Sequence, residues 1–416
     1  MKGGAAMFAD IVIVGGGASG MAAAIGAKKT APEAEVVIAE RLDRVGKKLL
    51  ATGNGRCNLG NKDVSPAHYH GSFRSMSGLL GNITADEFFS TMGVLCTADE
   101  QGRMYPRSNA AATVLSALRM QLDELGVKEV CGFEMSTYLR KGGTYELSSN
   151  DGQKIICRKL ILAAGGYAAP QYGTDGAVIR LLREKGYRIE KICPAVAPLR
   201  VSPDSVKGLK GVRTKGLVQA YSGGKLLAGE EGEIQFTENS LSGICVFNMA
   251  RYCQEYEGRL EIRLDLAPDM TYDELKVYVL EQRTKRAGLE LNDLLTGVFA
   301  KNLAVYLVKN TIGRPMTDRI ADIADKEIEK LCRSVKSLDF AVTGSSPWKS
   351  AQVTAGGVHK SCVGDDFGSL LEKGVYLCGE ILDMDGDCGG FNLQWAWASG
   401  MAAGRNCGDS LKGADR

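Results

Sequence analysis

The residues of this chain best suited to chemistry are glycines. Gly15-Gly16-Gly17-Ala18-Ser19-Gly20 puts Gly15, Gly17 and Gly20 at the spacing G-x-G-x-x-G. In that pattern the first glycine allows a tight turn. The second lets backbone approach a pyrophosphate, and the third lets a helix pack closely on a strand. A helix opening at Ala18 would aim unpaired N–H groups and the positive end of its dipole at phosphate. Glu40 follows 20 residues beyond Gly20, where a carboxylate accepts hydrogen bonds from ribose hydroxyls. Glycine is common, so the context carries the signal. Asp10–Val14 reads as a strand, Ala18–Lys29 as a helix of small residues, and Glu35–Ala39 as a second strand. That is a βαβ unit of about thirty residues. The alternative is a structural glycine turn with a surface Glu40.

One such fingerprint does not separate FAD from NAD, but two further glycine blocks do. Ile161-Leu162-Ala163-Ala164-Gly165-Gly166 is a buried strand ending in small residues. It resembles the Ala-Thr-Gly strand end of two-dinucleotide-binding flavoproteins, with Ala164 in place of Thr. Val375-Tyr376-Leu377-Cys378-Gly379-Glu380 comes later, then Gly389-Gly390-Phe391-Asn392 and a helix from about Leu393. In such flavoproteins the last strand ends in Gly-Asp beside the ribityl chain and phosphates, and Glu380 stands where that Asp would be. The helix after it points its N-terminus at the flavin pyrimidine ring, where reduction places negative charge.

Lys47-Lys48-Leu49-Leu50-Ala51-Thr52-Gly53-Asn54-Gly55-Arg56-Cys57-Asn58 resembles the Gly-Arg-Cys-Asn loop of a bacterial family of NAD(P)/FAD-dependent oxidoreductases. That family includes aminoacetone-oxidase-like proteins and proteins similar to bile-acid Δ4/Δ6 reductases of gut clostridia. Thr354-Ala355-Gly356-Gly357-Val358, Gly379-Glu380-Ile381-Leu382-Asp383 and Gly389-Gly390-Phe391-Asn392-Leu393-Gln394-Trp395-Ala396 match it too, so the resemblance spans nearly the whole chain. The middle is less alike: after Ser242-Gly243 the chain has Ile244-Cys245, where the family has Pro-Ala. The resemblance implies an FAD site formed by Gly15, Gly17, Ala18, Ser19, Gly20, Glu40, Arg41, Lys48, Gly53, Gly55, Arg56, Cys57, Asn58, Ala164, Gly165, Gly166, Gly356, Gly379, Glu380, Gly390, Phe391, Asn392 and Leu393. It implies NAD(P)H-driven reduction of a C=C bond in a hydrophobic, steroid- or bile-acid-like substrate by hydride transfer at flavin N5. One alternative is an oxygen-using oxidase of a small amine such as aminoacetone. Another, of a different class, is a flavoprotein that acts on or binds RNA.

Arg56 suits either the cofactor pyrophosphate or the loop itself, since a guanidinium binds phosphate bidentately. Cys57 could be a redox thiol, but no second cysteine lies near it in sequence, which favours a structural role. Asn58 is expected to bond loop backbone. Tyr167, Tyr172 and His359 are weak candidates for a substrate cavity wall. Trp395 and Trp397 read as core. There is no Ser-His-Asp set and no patterned carboxylate pair, which fits flavin chemistry, where the ring moves the electrons and the protein orients it. No second G-x-G-x-x-G follows residue 170. A nicotinamide donor would therefore visit the flavin through the substrate cavity.

The elements that must position these residues follow from length and pattern. At 416 residues with 44% apolar content the chain can bury a large core, and two or three domains are expected. There are 52 glycines, about 12%, against roughly 7% in ordinary usage. A net charge of +2 with 24% charged residues gives no nucleic-acid or membrane-surface footprint. The 12 cysteines form no Cys-x-x-Cys pair, so no metal site is indicated. They read as reduced thiols of a cytoplasmic protein. His68-Tyr69-His70 could mimic a metal pair but reads as loop. The start of the chain has no signal-peptide pattern, and Ile11–Val14 is far short of a membrane span.

Residues 84–95 and 110–125 read as helices. Val130–Tyr138, Thr144–Ser149 and Lys154–Ala164 read as strands, the first two turning at Lys141-Gly142-Gly143. After Pro194 come strand-like runs, Val212–Tyr221, Lys225–Ala228 and Leu260–Leu264, interrupted by a helical stretch Leu241–Tyr252. Thr271-Tyr272-Asp273-Glu274 fits a capping box opening a helical region to 337. The expected fold is α/β: a Rossmann-like FAD domain in two pieces, 1–194 and 345–416. Between them lie a β-rich insert, 195–267, and a helical insert, 268–344. A small-molecule substrate is expected, with neither nucleic acid nor membrane as partner.

Overall fold

The computed structural model describes residues 6–412. The chain divides into two compact units, Met1–Cys193 with Gln352–Arg416, and Pro194–Ala351.

In the first unit, β1 (Met7–Val14), α1 (Ala18–Thr30) and β2 (Val36–Glu40) form the expected βαβ unit. Ile11, Val12 and Ile13 have no exposed surface, and all of β2 is buried, as a run of branched residues on a sheet covered on both faces must be. β1 pairs in parallel with β2 and with the strand Lys154–Leu162. Lys154–Leu162 also takes Val375–Leu377 in parallel and the hairpin Met135–Lys141/Thr144–Ser149 in antiparallel fashion. Lys128–Cys131 adds to β2 and completes a seven-stranded sheet. The register aligns Val14 with Ala39 and with Leu162, and Leu162 with Leu377. The glycine turns after Val14, Leu162 and Leu377 therefore leave the same end of the sheet. That is where ligands bind in open α/β folds.

α1 is buried from Ser19 to Ala27 because it lies against a second helix of small residues, Phe391–Lys412. A Cβ on Gly404 would sit 2.1 Å from the Ala23 carbonyl oxygen. Glycine there is what lets the two backbones approach.

Some expected elements differ. Val130–Tyr138 is two strands, Lys128–Cys131 and Met135–Lys141. Gly132 takes φ +79 between them, and the N–H groups of Gly132 and Phe133 donate to the Leu42 and Glu40 carbonyls. The chain is turned across the end of β2. The expected helix 84–95 covers only Ala85–Ser90, opened by a Thr84–Glu87 capping box.

The second unit contains a closed six-stranded barrel. Its strands run in the order Leu199–Val201, Ser240–Ser242, Lys225–Phe236, Arg213–Ser222, Leu260–Asp265, Leu338–Ser345, and back to the first. Val218, Ala220, Ile234, Ile262 and Leu264, among others, are buried in this unit. Leu241 belongs to a strand, and the expected helix reduces to Ile244–Phe247 and Tyr252–Glu255. A Cβ on Gly243 would meet the Glu233 carbonyl oxygen at 2.0 Å, so the chain stays on the barrel there. Three helices follow: Tyr272–Lys285, capped by Thr271 and Glu274, then Lys301–Ile312 and Asp325–Lys336. The closing strand comes after them, so 268–344 is not purely helical. Leu338–Ser345 has to return because a barrel closes only when both edge strands are paired. Among the described residues no helix is long and apolar enough to cross a membrane.

Candidate functional site

At the end of β1, a Cβ on Gly15 would lie 2.5 Å from the Ala163 carbonyl oxygen, and one on Gly20 would lie 1.9 Å from that of Gly15. Both must be glycine for the turn to close. Gly17 is different. Its φ of −81 suits any residue, and nothing of the protein lies within 4 Å of where its Cβ would be. Neither conformation nor packing asks for glycine, so its missing side chain leaves room for something outside the protein. Gly17 is also the N-cap of α1, which has no side-chain cap and no acidic residue in its first turn. The N–H groups there, including those of Ala18 and Ser19, form an anion cradle of the kind that takes a pyrophosphate.

Glu40 is almost fully buried. Its Oε2 accepts from Gly16 N (2.7 Å) and its Oε1 from Leu42 N (2.8 Å). Two backbone donors fix the carboxylate, and lone pairs remain for a diol. It opens on a cleft shared with Arg41, Phe133, Glu134, Thr174 and Asp175. Arg41 is held there between Glu134 (2.5 Å) and Asp175 (3.1 Å). Phe133, Glu134, Thr174 and Asp175 escaped the sequence reading. Phe133 and Glu134 are presented by the turn at Gly132, and Thr174 by its hydrogen bond to the Gly166 carbonyl.

At the opposite end, Lys48 pairs with Glu380 (2.8 Å), whose other oxygen accepts from Thr354 N (3.0 Å). Thr354 Oγ1 accepts from the N–H groups of Tyr167 and Ala168. The strand end at Ala164–Gly166, the glycine strand at 354–357 and Glu380 thus form one network. Gly53 and Gly55 turn the 52–58 loop at φ +57 and +84. The Asn58 amide donates to the carbonyls of Met104 (3.1 Å) and Gly60 (2.9 Å) and accepts from Gly390 N (3.0 Å). Asn392 bonds Gly386 N (2.8 Å) and the Gly386 carbonyl (2.7 Å), which orients the first turn of the C-terminal helix. Phe391 is buried and Leu393 half-buried beside it.

The remaining side chains singled out by the sequence divide between surface, loop and core. Arg56 is exposed, stacks over the Tyr105 ring at 4.7 Å and donates its Nε to the Gly53 carbonyl (3.4 Å). Cys57 is fully buried in a left-handed conformation (φ +59), and burial pushes its thiol up to about 12. A redox thiol needs access and thiolate character, and Cys57 has neither. Gly356 packs against the Lys191 carbonyl, 2.2 Å from its would-be Cβ, which makes its requirement for glycine internal. His359 Nδ1 accepts from Ser361 N (3.1 Å) and caps the 360–362 turn. Tyr172 is exposed and directly precedes Gly173 and Thr174 of the Glu40 cleft. The ring of Tyr167 packs over Gly176. Trp395 and Trp397 are core and donate to the carbonyls of Gly379 and Leu59.

The residues fit FAD as a resident cofactor: an uncapped helix at the pyrophosphate position, an acid for the ribose, and a second helix N-terminus reached through Gly389–Gly390. Fold and site together define an FAD-dependent oxidoreductase of the Rossmann type. The chain matches the family described as HI0933-like protein Rossmann domain over residues 9–406, and it belongs to that family. It is 36% identical over 403 residues to a 3-dehydro-bile acid delta(4,6)-reductase of Clostridium scindens, covering 95% of this chain and 98% of the relative. It is 25% identical to a ribosomal RNA dihydrouridine synthase of Haemophilus influenzae, over 95% and 97% of the two chains. Among solved structures, a 3-ketosteroid delta1-dehydrogenase from Sterolibacterium denitrificans shares the fold, with a TM-score of 0.51 at 14% identity, over 97% of this chain and all of that one.

Proposed function

We propose that this protein uses NAD(P)H to reduce a carbon–carbon double bond conjugated to a carbonyl, in an apolar substrate of steroid or bile-acid type. Bound FAD supplies a ring that takes hydride from one partner and gives it to the other. The carrying observation is the site itself, with the Gly17 cradle and Glu40 at one end and the helix N-terminus after Gly389–Gly390 at the other. The relatives support the reaction type, because a delta(4,6)-reductase and a dihydrouridine synthase both saturate a carbon–carbon double bond. The sequence has no second dinucleotide fingerprint, which supports one cavity used in turn by nicotinamide and substrate.

Anaerobic titration with NADH and NADPH tests this. Bleaching of the flavin by either, and return of the colour on adding a 3-oxo-Δ4 or 3-oxo-Δ4,6 bile acid, are expected. Double-reciprocal plots should be parallel. If neither nicotinamide bleaches the flavin, the reading fails and oxygen-linked oxidation of a small amine replaces it.

A second reading has its own support. Two relatives, at 25% and 24% identity, are ribosomal RNA dihydrouridine synthases. Against RNA stands a net charge of only +2, since binding a phosphate backbone rests on concentrated Lys and Arg. Colour return with ribosomal RNA, and not with the bile acid, would decide for it.

A further inference from the structure

The chain has three histidines, and two of them meet on one carboxylate. Asp387 Oδ1 lies 2.8 Å from His70 Nε2, and Oδ2 lies 3.1 Å from His68 Nδ1. Backbone pairing brings them together. The short strand Tyr69–His70 runs antiparallel to Asp385–Gly386, and Asp387 N donates to the His68 carbonyl. Asn392 Nδ2 holds the Asp387 carbonyl from the other side (3.3 Å). The cluster thus shares its backbone with the loop that opens the C-terminal helix, three residues before Gly390.

The two histidines are not equivalent. His68 stacks on Phe391, centroids 4.3 Å apart, and its Nε2 lies 3.1 Å from Asp63 Oδ2. Both its nitrogens are taken by carboxylates. Burial disfavours the charged ring, but the hydrogen bonds to Asp387 and Asp63 outweigh it and raise His68 above the ordinary histidine value. Burial likewise opposes charge on Asp387, and the two imidazoles outweigh it, holding the carboxyl below the usual range. His70 has only Nε2 engaged; its Nδ1 has no hydrogen-bond partner among the described residues. The charged groups facing the pair are Asp387 toward both rings, Asp63 toward His68, and the buried Asp385 opposite His70 in the strand pairing. Among the described residues no three His, Cys, Asp or Glu side chains are placed to share a metal ion. The cluster is therefore suited to handling protons.

Saturating a double bond takes a hydride at one carbon and a proton at the other. Near the same loop, the Cys57 sulfur is enclosed, Lys48 is paired with Glu380, and the Tyr69 hydroxyl donates to the Phe391 carbonyl. We propose that the His68–Asp387–His70 cluster is the proton source of the reduction, with His70 Nδ1 giving the proton and His68 keeping Asp387 charged and in place. This rests on the double-bond reduction proposed above. NAD(P)H is oxidised and its hydride ends on the electron-poor carbon. The N–H bond at His70 Nδ1 breaks and a C–H bond forms at the neighbouring carbon. His70 becomes neutral, keeping its Nε2 hydrogen on Asp387, and a proton from water restores it. One NAD(P)H and one proton are consumed per double bond.

The purified holoprotein and its His70→Gln variant test this directly. General acids contribute about 10²–10⁴-fold, so His70→Gln should lower turnover of a 3-oxo-Δ4 substrate about a hundredfold or more. Its flavin should still bleach with NAD(P)H at the wild-type rate. Imidazole added to His70→Ala should restore part of the turnover. In ¹⁵N-histidine spectra of the holoprotein, Asp387→Asn should lower the titration midpoint of His68. Wild-type turnover in His70→Gln overturns the proposal. So does equal slowing of bleaching and turnover without imidazole rescue, because the cluster is then a structural staple. If the wild type bleaches but reduces no enone, the parent reading falls and takes the proposal with it, a failure seen before any variant is made.

Discussion

The Gly17 cradle and the Glu40 carboxylate lie in one continuous stretch, β1 through Leu42, and are set mainly by backbone, while the cleft beside Glu40 is completed by Phe133, Glu134, Thr174 and Asp175. The turn at Gly15, the uncapped start of α1 and the two N–H groups that fix Glu40 all come from residues within thirty of one another in sequence. The flavin end is assembled from stretches hundreds of residues apart, and side chains tie it together. Asn58 reaches Gly390, Lys48 reaches Glu380, Asn61 Nδ2 reaches the Gly389 carbonyl (3.0 Å), and His68 and His70 reach Asp387. A cofactor can thus be gripped by local geometry that barely depends on side-chain identity. The second end depends instead on particular residues meeting across the fold.

The largest expected effect breaks the local end without touching the fold. Gly17→Asp places a carboxylate where phosphate is expected while supplying a helix cap worth only about a few tenths of a kcal/mol over glycine. Thermal stability should hold or rise, and FAD affinity should fall a hundredfold or more, about 2.7 kcal/mol. Unchanged FAD affinity would show that the pyrophosphate lies elsewhere. Glu40→Ala comes next. Loss of hydrogen bonds to a charged acceptor costs roughly 1.5–3 kcal/mol, or about 10–150-fold in FAD affinity by equilibrium dialysis. Asn58→Ala probes the assembled end. It strands the Gly390 N–H and should cost about 1–3 kcal/mol of stability in urea unfolding, with a smaller loss of FAD affinity than Glu40→Ala. A larger one would erase the distinction between the ends.

Cys57 should give small effects. With its thiol at about 12, only about one molecule in 10⁴ is thiolate at pH 8, so iodoacetamide should label it far more slowly than a free thiol. Cys57→Ser should keep turnover within a few-fold. The smallest effect concerns pH. The folded value of His68 is raised, so its contribution to stability is present below the ordinary histidine value of about 6.5 and is lost as pH rises through the folded value. Wild type and His68→Gln should therefore differ most below pH 6 and converge in alkali.

What could be read from the sequence divides along the same line. The βαβ unit, the glycine turns, Glu40 and the Thr271 capping box are written in neighbouring residues, and the chain folds them as their spacing dictates. The break at Gly132 depends on carbonyls of Leu42 and Glu40 ninety residues earlier, so nothing local announced it, and Phe133 and Glu134 were missed with it. The barrel's closing strand likewise answers to partners far away in sequence. The His68–Asp387 meeting was hidden for the same reason. His68-Tyr69-His70 was visible as an odd triplet, but the carboxylate that gives it meaning lies more than 300 residues downstream.

The glycine-lined contact between α1 and the C-terminal helix has a consequence for synthesis. On a ribosome the fingerprint of residues 15–20 emerges first, yet α1 rests on backbone near Gly400 and Gly404, about 380 residues later. At roughly 5–20 residues per second, the N-terminal βαβ unit must wait on the order of 20–80 s for the helix that covers it, with its apolar face uncovered. Contacts of such long sequence separation are slow to form. The packing that buries α1 is thus completed only after nearly the whole chain has been made.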